Sequence, residues 1–328
     1  MRHNTRKGVD EMHKNMTLTV CAIVLACILC MTAQLVYADT SGAAFLKIGV
    51  GARSIGMGSA FVGLSDDATA SFWNPAGLTQ LKKNEIHAMH TEWISDMTYD
   101  YIGYAIPQRD NTFGVSIIYL STGNIEKRGA SGEEMGDFSA YDSCATVSYA
   151  RKLSSDIGLG VNVKVIQQKI DNETAKGVAV DIGQMYSISS TGLSLGLAVR
   201  NIGPKMKFIE EEYSLPLTVS LGAAYKILGI ANIGMDIQYQ VIDEKTNVSF
   251  GTEYAPVGML SLRAGYLMKL LSPGSETGSI AGMNSDLGAL SGLGAGFGMK
   301  LGGTSLDYAF VPYGDLGNTH RLSISSQF

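Results

Sequence analysis

Asp156-Ile157-Gly158-Leu159-Gly160-Val161-Asn162-Val163-Lys164-Val165-Ile166 opens a stretch, continuing to Ile188, whose reading decides the fold. Ile157, Leu159, Val161, Val163 and Val165 share one parity, while Gly158, Gly160, Asn162, Lys164 and Ile166 share the other. After Asp171-Asn172-Glu173 the alternation resumes, with Val178, Val180, Ile182, Tyr186 and Ile188 against Ala179, Asp181, Gly183 and Ser187. Strand side chains alternate faces with a period of two, so the stretch predicts two long strands and one tight turn. One face is aliphatic; the other carries glycine and charge. A soluble sandwich fits this if the apolar face packs on a second sheet. A membrane barrel fits it if that face meets lipid and the other a wet lumen.

Composition separates the two. Charged residues are only 17% of the 328, and glycine occurs 39 times. That is too apolar for an ordinary soluble surface, while the mildly positive mean hydropathy is too polar for a helical membrane bundle. A barrel whose strand residues are half wet lies between them.

The longest apolar run spans 18–37, follows Arg2, Arg6, Lys7 and Lys14, and ends in Val36-Tyr37-Ala38. It reads as a Sec-type signal peptide, residues 1–38, cleaved near Ala38, with Met12 or Met16 as alternative starts. A membrane anchor helix is the rival reading. A lipoprotein-type site at Val24-Leu25-Ala26-Cys27 fits poorly, because apolar residues follow Cys27. Cys21, Cys27 and Cys30 leave with the signal, so Cys144 stands alone and no internal disulfide or thiolate metal site is expected. Removing the segment's four basic and two acidic residues leaves 21 against 28, which argues against a nucleic-acid partner.

From Asn84 onward the alternation predicts fourteen strands, near 84–93, 97–106, 112–122, 139–150, 156–170, 174–188, 192–200, 216–225, 230–240, 246–254, 259–268, 291–300, 303–311 and 319–328. A tilted strand needs about 9–11 residues to cross a bilayer core, which most of these supply. Soluble strands usually stop at about 5–6. Links from even to odd strands are all short, whereas the long ones (123–138, 201–215 and 267–290) join odd to even. An antiparallel up-and-down barrel with tight periplasmic turns and larger outer loops has this asymmetry, and an even strand count puts both termini in the periplasm.

Charge parity gives a further test. Arg200 opposes Leu193, Leu195, Leu197 and Val199; Asp236 opposes Ile233, Met235, Ile237 and Tyr239; Arg263 opposes Leu260, Leu262, Tyr266 and Met268; Asp307 opposes Leu306, Tyr308 and Phe310. A lipid-facing Lys or Arg at mid-bilayer would cost roughly 2–4 kcal/mol. Lys164, Asp181, Arg200, Asp236, Glu253, Arg263, Lys300, Asp307 and Arg321 are therefore read as lumen-facing. They either line a substrate path or pair across the lumen to hold a plug, and pairing is the commoner use. Gly292, Gly294, Gly296 and Gly298 leave one inward strip without side chains, as if the N-terminal segment packed there. The last strand carries Leu322, Ile324 and Phe328 on one parity, resembling the C-terminal signal by which outer-membrane barrels engage the barrel assembly machinery. Ser326 departs from that pattern.

Residues 42–81 do not alternate. Ser65 is a candidate N-cap with Asp66 and Asp67 in the first turn of a short helix, and Asn74-Pro75 stops it. Gly56-x-Gly58 lacks the Lys-Ser/Thr ending of a phosphate loop, so tight backbone packing is the better account of these glycines.

Gly51-Ala52-Arg53-Ser54-Ile55-Gly56-Met57-Gly58-Ser59-Ala60-Phe61-Val62, Asp66-Asp67-Ala68 and Trp73-Asn74-Pro75-Ala76-Gly77-Leu78 together resemble the N-terminal signature of the PorV/PorQ family, relatives of the FadL-type outer-membrane barrels. Tyr149-Ala150-Arg151-Lys152-Leu153, Val199-Arg200-Asn201-Ile202-Gly203-Pro204 and the run from Leu306 to Arg321 agree. The resemblance implies an all-β, fourteen-stranded transmembrane barrel over 84–328. It also implies a plug over 39–83 that holds Asp66, Asp67, Trp73, Asn74, Pro75, Ala76 and Gly77.

No catalytic, cofactor or metal constellation emerges. His87 and His90 are three apart on a strand and face opposite ways, and no serine sits in a Gly-x-Ser-x-Gly elbow. Asp66 and Asp67 as a cation site are outweighed by their suitability for a helix N-terminus. The chain is thus expected to be no enzyme and to lie in the bacterial outer membrane, among its lipids. The resemblance implies a secretion accessory, a shuttle that receives exported cargo proteins or secretion-system components on its long outer loops. The rival functional reading is a FadL-like passive channel for hydrophobic small molecules, which calls for an apolar inward pocket; the inward face reads instead as Gly, Ser and charge. A purely structural outer-membrane role is the third reading.

Overall fold

The computed structural model describes residues 41–128, 131–188, 190–270, 292–314 and 317–328. The expected signal peptide with its cleavage point, and most of the 267–290 loop, lie outside the described residues.

Fourteen antiparallel strands close into a barrel. In chain order they are β1 (Glu85–Glu92), β2 (Thr98–Gln108), β3 (Asn111–Arg128), β4 (Glu134–Lys152), β5 (Ile157–Ile170), β6 (Glu173–Ile188) and β7 (Leu193–Ile202), then β10 (Thr218–Ile227), β11 (Ala231–Gln240), β12 (Lys245–Val257), β13 (Leu260–Leu270), β14 (Leu293–Leu301), β15 (Thr304–Pro312) and β16 (Asn318–Gln327). Each predicted strand is present. β1 and β16 seal the cylinder, from Glu85 opposite Gln327 to Glu92 opposite His320. Closure leaves no strand edge unpaired in the bilayer, the condition for a sheet to span one.

The opening stretch forms β5 and β6, joined by Asp171 and Asn172, with Asp171 left-handed at φ 54°. Val163, Val165, Val178 and Ile182 are each more than half exposed on the outer wall, while Gly160, Asn162, Lys164 and Asp181 are buried inside. The outer wall also carries an ion pair. His90 and Asp100, paired at 2.6 Å across β1 and β2, both point outward, two residues from the long-loop end of β1.

Two expected loops are partly strand. β3 and β4 extend past the wall as a ribbon, with Asn124 opposite Ser139 and Arg128 opposite Glu134 after register shifts. Apart from Ile125, Met135 and Phe138 its residues are polar or small, so period two gave no sustained signal there. The 201–215 connection folds into a hairpin of β8 (Met206–Phe208) and β9 (Glu211–Tyr213).

Residues 41–84 fill the interior with short helical turns, Ala44–Lys47, Ala52–Gly56, Ala70–Trp73 and Pro75–Gln80. The helix expected to start at Ser65 begins instead at Ala70. Ser65 adopts φ 28° and donates its hydroxyl to the Phe61 carbonyl at 2.8 Å. Asp66 and Asp67 are drawn out of any helical turn by Arg53. Asn74 stops the helix as predicted, because the residue before proline favours the extended conformation it adopts here.

Candidate functional site: the plugged interior

The plug seats on glycines. Gly234 of β11, Gly251 of β12, Gly265 of β13 and Gly294 of β14 stand opposite one another in a row. A Cβ on any of them would lie within 2.1–2.8 Å of plug backbone, at Ala60, Met57, Met57 and Ile55 in that order. The belt continues through Gly222 and Gly196 against Val62 and Gly63, then Gly183 and Gly160 against Asn74, Pro75 and Ala76. The plug therefore winds round the inner wall in contact with backbone. Of the inward glycine strip seen in the sequence, Gly294 and Gly296 touch the plug.

Charged side chains lock the seat. Arg53 grips Glu253 through Nε and Nη2, both at 2.8 Å, and reaches Asp66 at 2.6 Å and Asp67 at 3.2 Å. Arg263 bridges Glu253 at 2.7 Å and Asp307 at 2.6 Å, and Lys226 reaches Asp66 at 2.8 Å. Elsewhere Lys164 pairs with Asp181 at 2.7 Å, and Asn162 donates both to Asp181 and to the Ser71 carbonyl. Asp236 accepts the backbone N–H groups of Phe61 at 2.6 Å and Val62 at 2.7 Å. Arg200 lies 5.1 Å over the Phe72 ring, and Arg321 donates to the Gly49 carbonyl. Eight of the nine charges read as inward are buried. Lys300 is the exception: it keeps the inward parity but lies exposed at the short-turn end of β14.

The plug residues meet one another. Trp73 donates Nε1–H to the Val50 carbonyl at 3.0 Å and stands edge-on to Phe72. Asn74 donates to the Gln184 carbonyl of β6 at 3.0 Å and accepts the Ala76 N–H at 3.1 Å. Pro75 opens the final turn, and a Cβ on Gly77 would strike the Ser65 carbonyl at 2.2 Å. At the C-terminus Leu322, Ile324 and Phe328 face outward, with Phe328 stacked on Tyr104. The departing Ser326 faces Thr304, their hydroxyls 3.3 Å apart.

The reading of the inward face as Gly, Ser and charge needs correction toward the long-loop end. There Ile118, Cys144, Ile166, Met206 and Leu215 form an apolar lining, filled by Phe45 and Leu46 of the plug. A separate cavity of about 360 Å³ is lined by Lys47, Lys245, Lys269 and Arg321 together with Ile48, Trp93 and Val311. Lys47 and Ser41 tie the plug's first residues to Asp243, in the turn between β11 and β12. Burial pushes the Asp243 carboxyl up, but the Ser41 N–H and hydroxyl and the Lys47 ammonium outweigh it and hold it below its ordinary range.

Sequence reasoning gave no role to Arg53, Glu85, His87 or Asn201. Arg53 is the only arginine among residues 39–83, within reach of an acidic pair, which was the available signal. Asn201 sits at φ 63°, donates to the Pro216 carbonyl at 3.0 Å and accepts from Lys164 at 2.9 Å. The run Asn201-Ile202-Gly203-Pro204 marked an irregularity without revealing those partners.

A fourteen-strand barrel with an aliphatic outer wall and an N-terminal plug is the fold of the FadL-type outer-membrane barrels. The chain is similar in fold to the Pseudomonas putida toluene transporter TodX, with a TM-score of 0.59 at 14% identity over 88% of this chain and 97% of that one. A Pseudomonas aeruginosa FadL homologue gives 0.58 at 12% identity, covering 85% and 98%. The model for "Type IX secretion system protein PorV" matches residues 32–242, and the chain belongs to that family. It is also 21% identical over 298 residues to a UPF0164 protein of Treponema pallidum (strain Nichols), covering 84% of this chain and 66% of that one, just under two thirds of the relative's length.

Proposed function

We propose that this barrel is an accessory of protein secretion or surface attachment, a shuttle that receives exported proteins at its long-loop end. The carrying observation is the filled interior. Plug backbone lies on a glycine belt, with buried ion pairs toward the short turns and Phe45 and Leu46 toward the long loops. Membership of a family described by a secretion system supports the same reading. Such a plug leaves the outer ribbon of β3 and β4 and the β8–β9 hairpin as the surfaces on which a protein can be held.

The test is co-purification of C-terminal domains of secreted proteins with the detergent-extracted barrel. Retention by the native barrel, lost when 123–138 is shortened, is the expected result. The channel reading draws on the apolar lining around Phe45 and Leu46 and on the fold shared with a toluene transporter. Uptake of a hydrophobic solute by vesicles holding the barrel, with no cargo retained, would replace the shuttle with that channel.

A further inference from the structure

We propose that Asp67, Glu85 and His87 bind one divalent transition-metal ion, which clips the plug to the first strand of the barrel. One ligand atom from each lies within 4.8 Å of the others, and all three side chains are buried. Asp67 comes from the plug; Glu85 and His87 lie two apart on β1, so both face inward.

His87 is the observation that requires a ligand. It is 2% exposed, stands edge-on to Tyr101, and neither ring nitrogen has a hydrogen-bond partner. Buried polar groups are nearly always paired, and one left unpaired costs about 1–3 kcal/mol. A coordinate bond to a metal satisfies one nitrogen outright. The two carboxylates are already oriented as ligands by hydrogen bonds. Glu85 accepts the Ala68 N–H at 3.1 Å and the Gln327 amide at 2.9 Å, while Asp67 accepts the Thr69 N–H at 2.9 Å. Asp67 Oδ1 also accepts the Thr69 hydroxyl, which engages both of its lone pairs, while Asp67 Oδ2 and both Glu85 oxygens keep a second one; such outer partners commonly fix metal-binding side chains.

Charge points the same way. Arg53, Lys226 and Arg263 are the cations of the ion-pair network that reaches this corner, facing the carboxylates of Asp66, Asp67, Glu253, Asp307 and Glu85. Two negative charges are left over, the charge of one divalent ion beside a neutral imidazole. Arg53 does not supply the deficit, because it lies closer to Asp66 and Glu253 than to Asp67. One imidazole with two carboxylates suits Zn²⁺, Mn²⁺ or Fe²⁺ and disfavours soft ions. Ligands about 2.1 Å from a common ion stand about 3–4 Å apart, so small side-chain rotations close the site. Through Gln327 on Glu85, the clip would also brace the seam between β1 and β16.

The experiment uses the full barrel extracted from outer membranes, stripped with chelator, reloaded with Zn²⁺ or Mn²⁺ and desalted. Metal content by mass spectrometry and the thermal unfolding midpoint are then read. The proposal expects about one ion per chain and a higher midpoint on loading, both lost in His87→Phe, which fills the same space beside Tyr101. Glu85→Gln keeps the shape of the carboxylate and carries the test if His87→Phe does not assemble. Folded wild-type barrel that takes up neither ion overturns the proposal. Uptake by a folded variant equal to wild type overturns it as well.

Discussion

At the scale of single residues, Glu253 bears the most on the plug. It receives both Arg53 and Arg263, so one wall carboxylate anchors the plug and ties β12 to β13. Glu253→Gln would break two buried ion pairs at once, leaving Arg53 to Asp66 and Asp67 and Arg263 to Asp307, and breaking a buried pair typically costs about 3–5 kcal/mol. The expected result is earlier unfolding in detergent and faster proteolysis within 41–83 of the folded barrel. Replacing both partners, in Arg53→Met with Glu253→Leu, should cost less than the sum of the single changes, because each single change already breaks the same Arg53–Glu253 pair. Unfolding curves of the four proteins measure that difference, and strict additivity would deny the coupling. Asp243 sets a pH dependence. Its carboxyl is held below the ordinary value of about 3.9, so its contribution is fully present above that value and is lost as pH falls through the folded value. The plug's first residues should stay anchored at neutral and mildly acid pH and loosen only below about pH 4. A fluorophore on Ala44→Cys reports this by its anisotropy, and Asp243→Asn should remove the pH step.

At the scale of elements, the glycine belt makes position matter more than residue type. A Cβ at Gly265 would lie 2.1 Å from the Met57 carbonyl carbon, whereas one at Gly258, in the turn between β12 and β13, meets nothing within 4 Å. Gly265→Val should therefore admit the barrel to the membrane but unseat the plug, raising single-channel conductance in planar bilayers. Gly258→Val should match wild type, and equal conductance of the two would deny the seat. This scale also shows what was legible in advance. The strands could be read because lipid and lumen impose a two-residue period on every crossing, as Val163 and Lys164 illustrate side by side. The plug could not be read in the same way. Ser65, Asp66 and Asp67 have the local chemistry of a helix start, yet an arginine more than ten residues upstream and a lysine on β10 claim the aspartates. The inward direction of Glu85 and His87 follows from parity, but their convergence on Asp67 depends on how the plug is wound. The apolar lining was half visible, since Ile166 was noted on the inward parity, but Phe45 as its filler was not.

At the scale of the whole molecule, one closed sheet separates two environments, and each tolerates a different error. Val163 lies near the middle of β5, between Val147 of β4 and Val180 of β6, and is 54% exposed on the outer wall. Arginine there faces hydrocarbon at a cost of roughly 2–4 kcal/mol, and no inward rotation relieves it, because the period of the strand fixes its face. Arg200 lies inside, where its guanidinium covers the Phe72 ring and donates to the Phe72 carbonyl at 3.3 Å, and among the described residues no carboxylate forms a salt bridge with it. Asp181 keeps Lys164, and Asp236 keeps the two plug amides. Val163→Arg should thus lower the yield of folded barrel in the outer membrane severalfold. Arg200→Leu should assemble near the wild-type level, with the packing around Phe72 and Trp73 loosened and the hydrogen bond to the Phe72 carbonyl lost. Heat-modified mobility of outer-membrane fractions measures both yields. If the two variants assembled equally well, the outer wall would not be facing lipid, and the separation of a greasy exterior from a plugged, charged interior would fail with it.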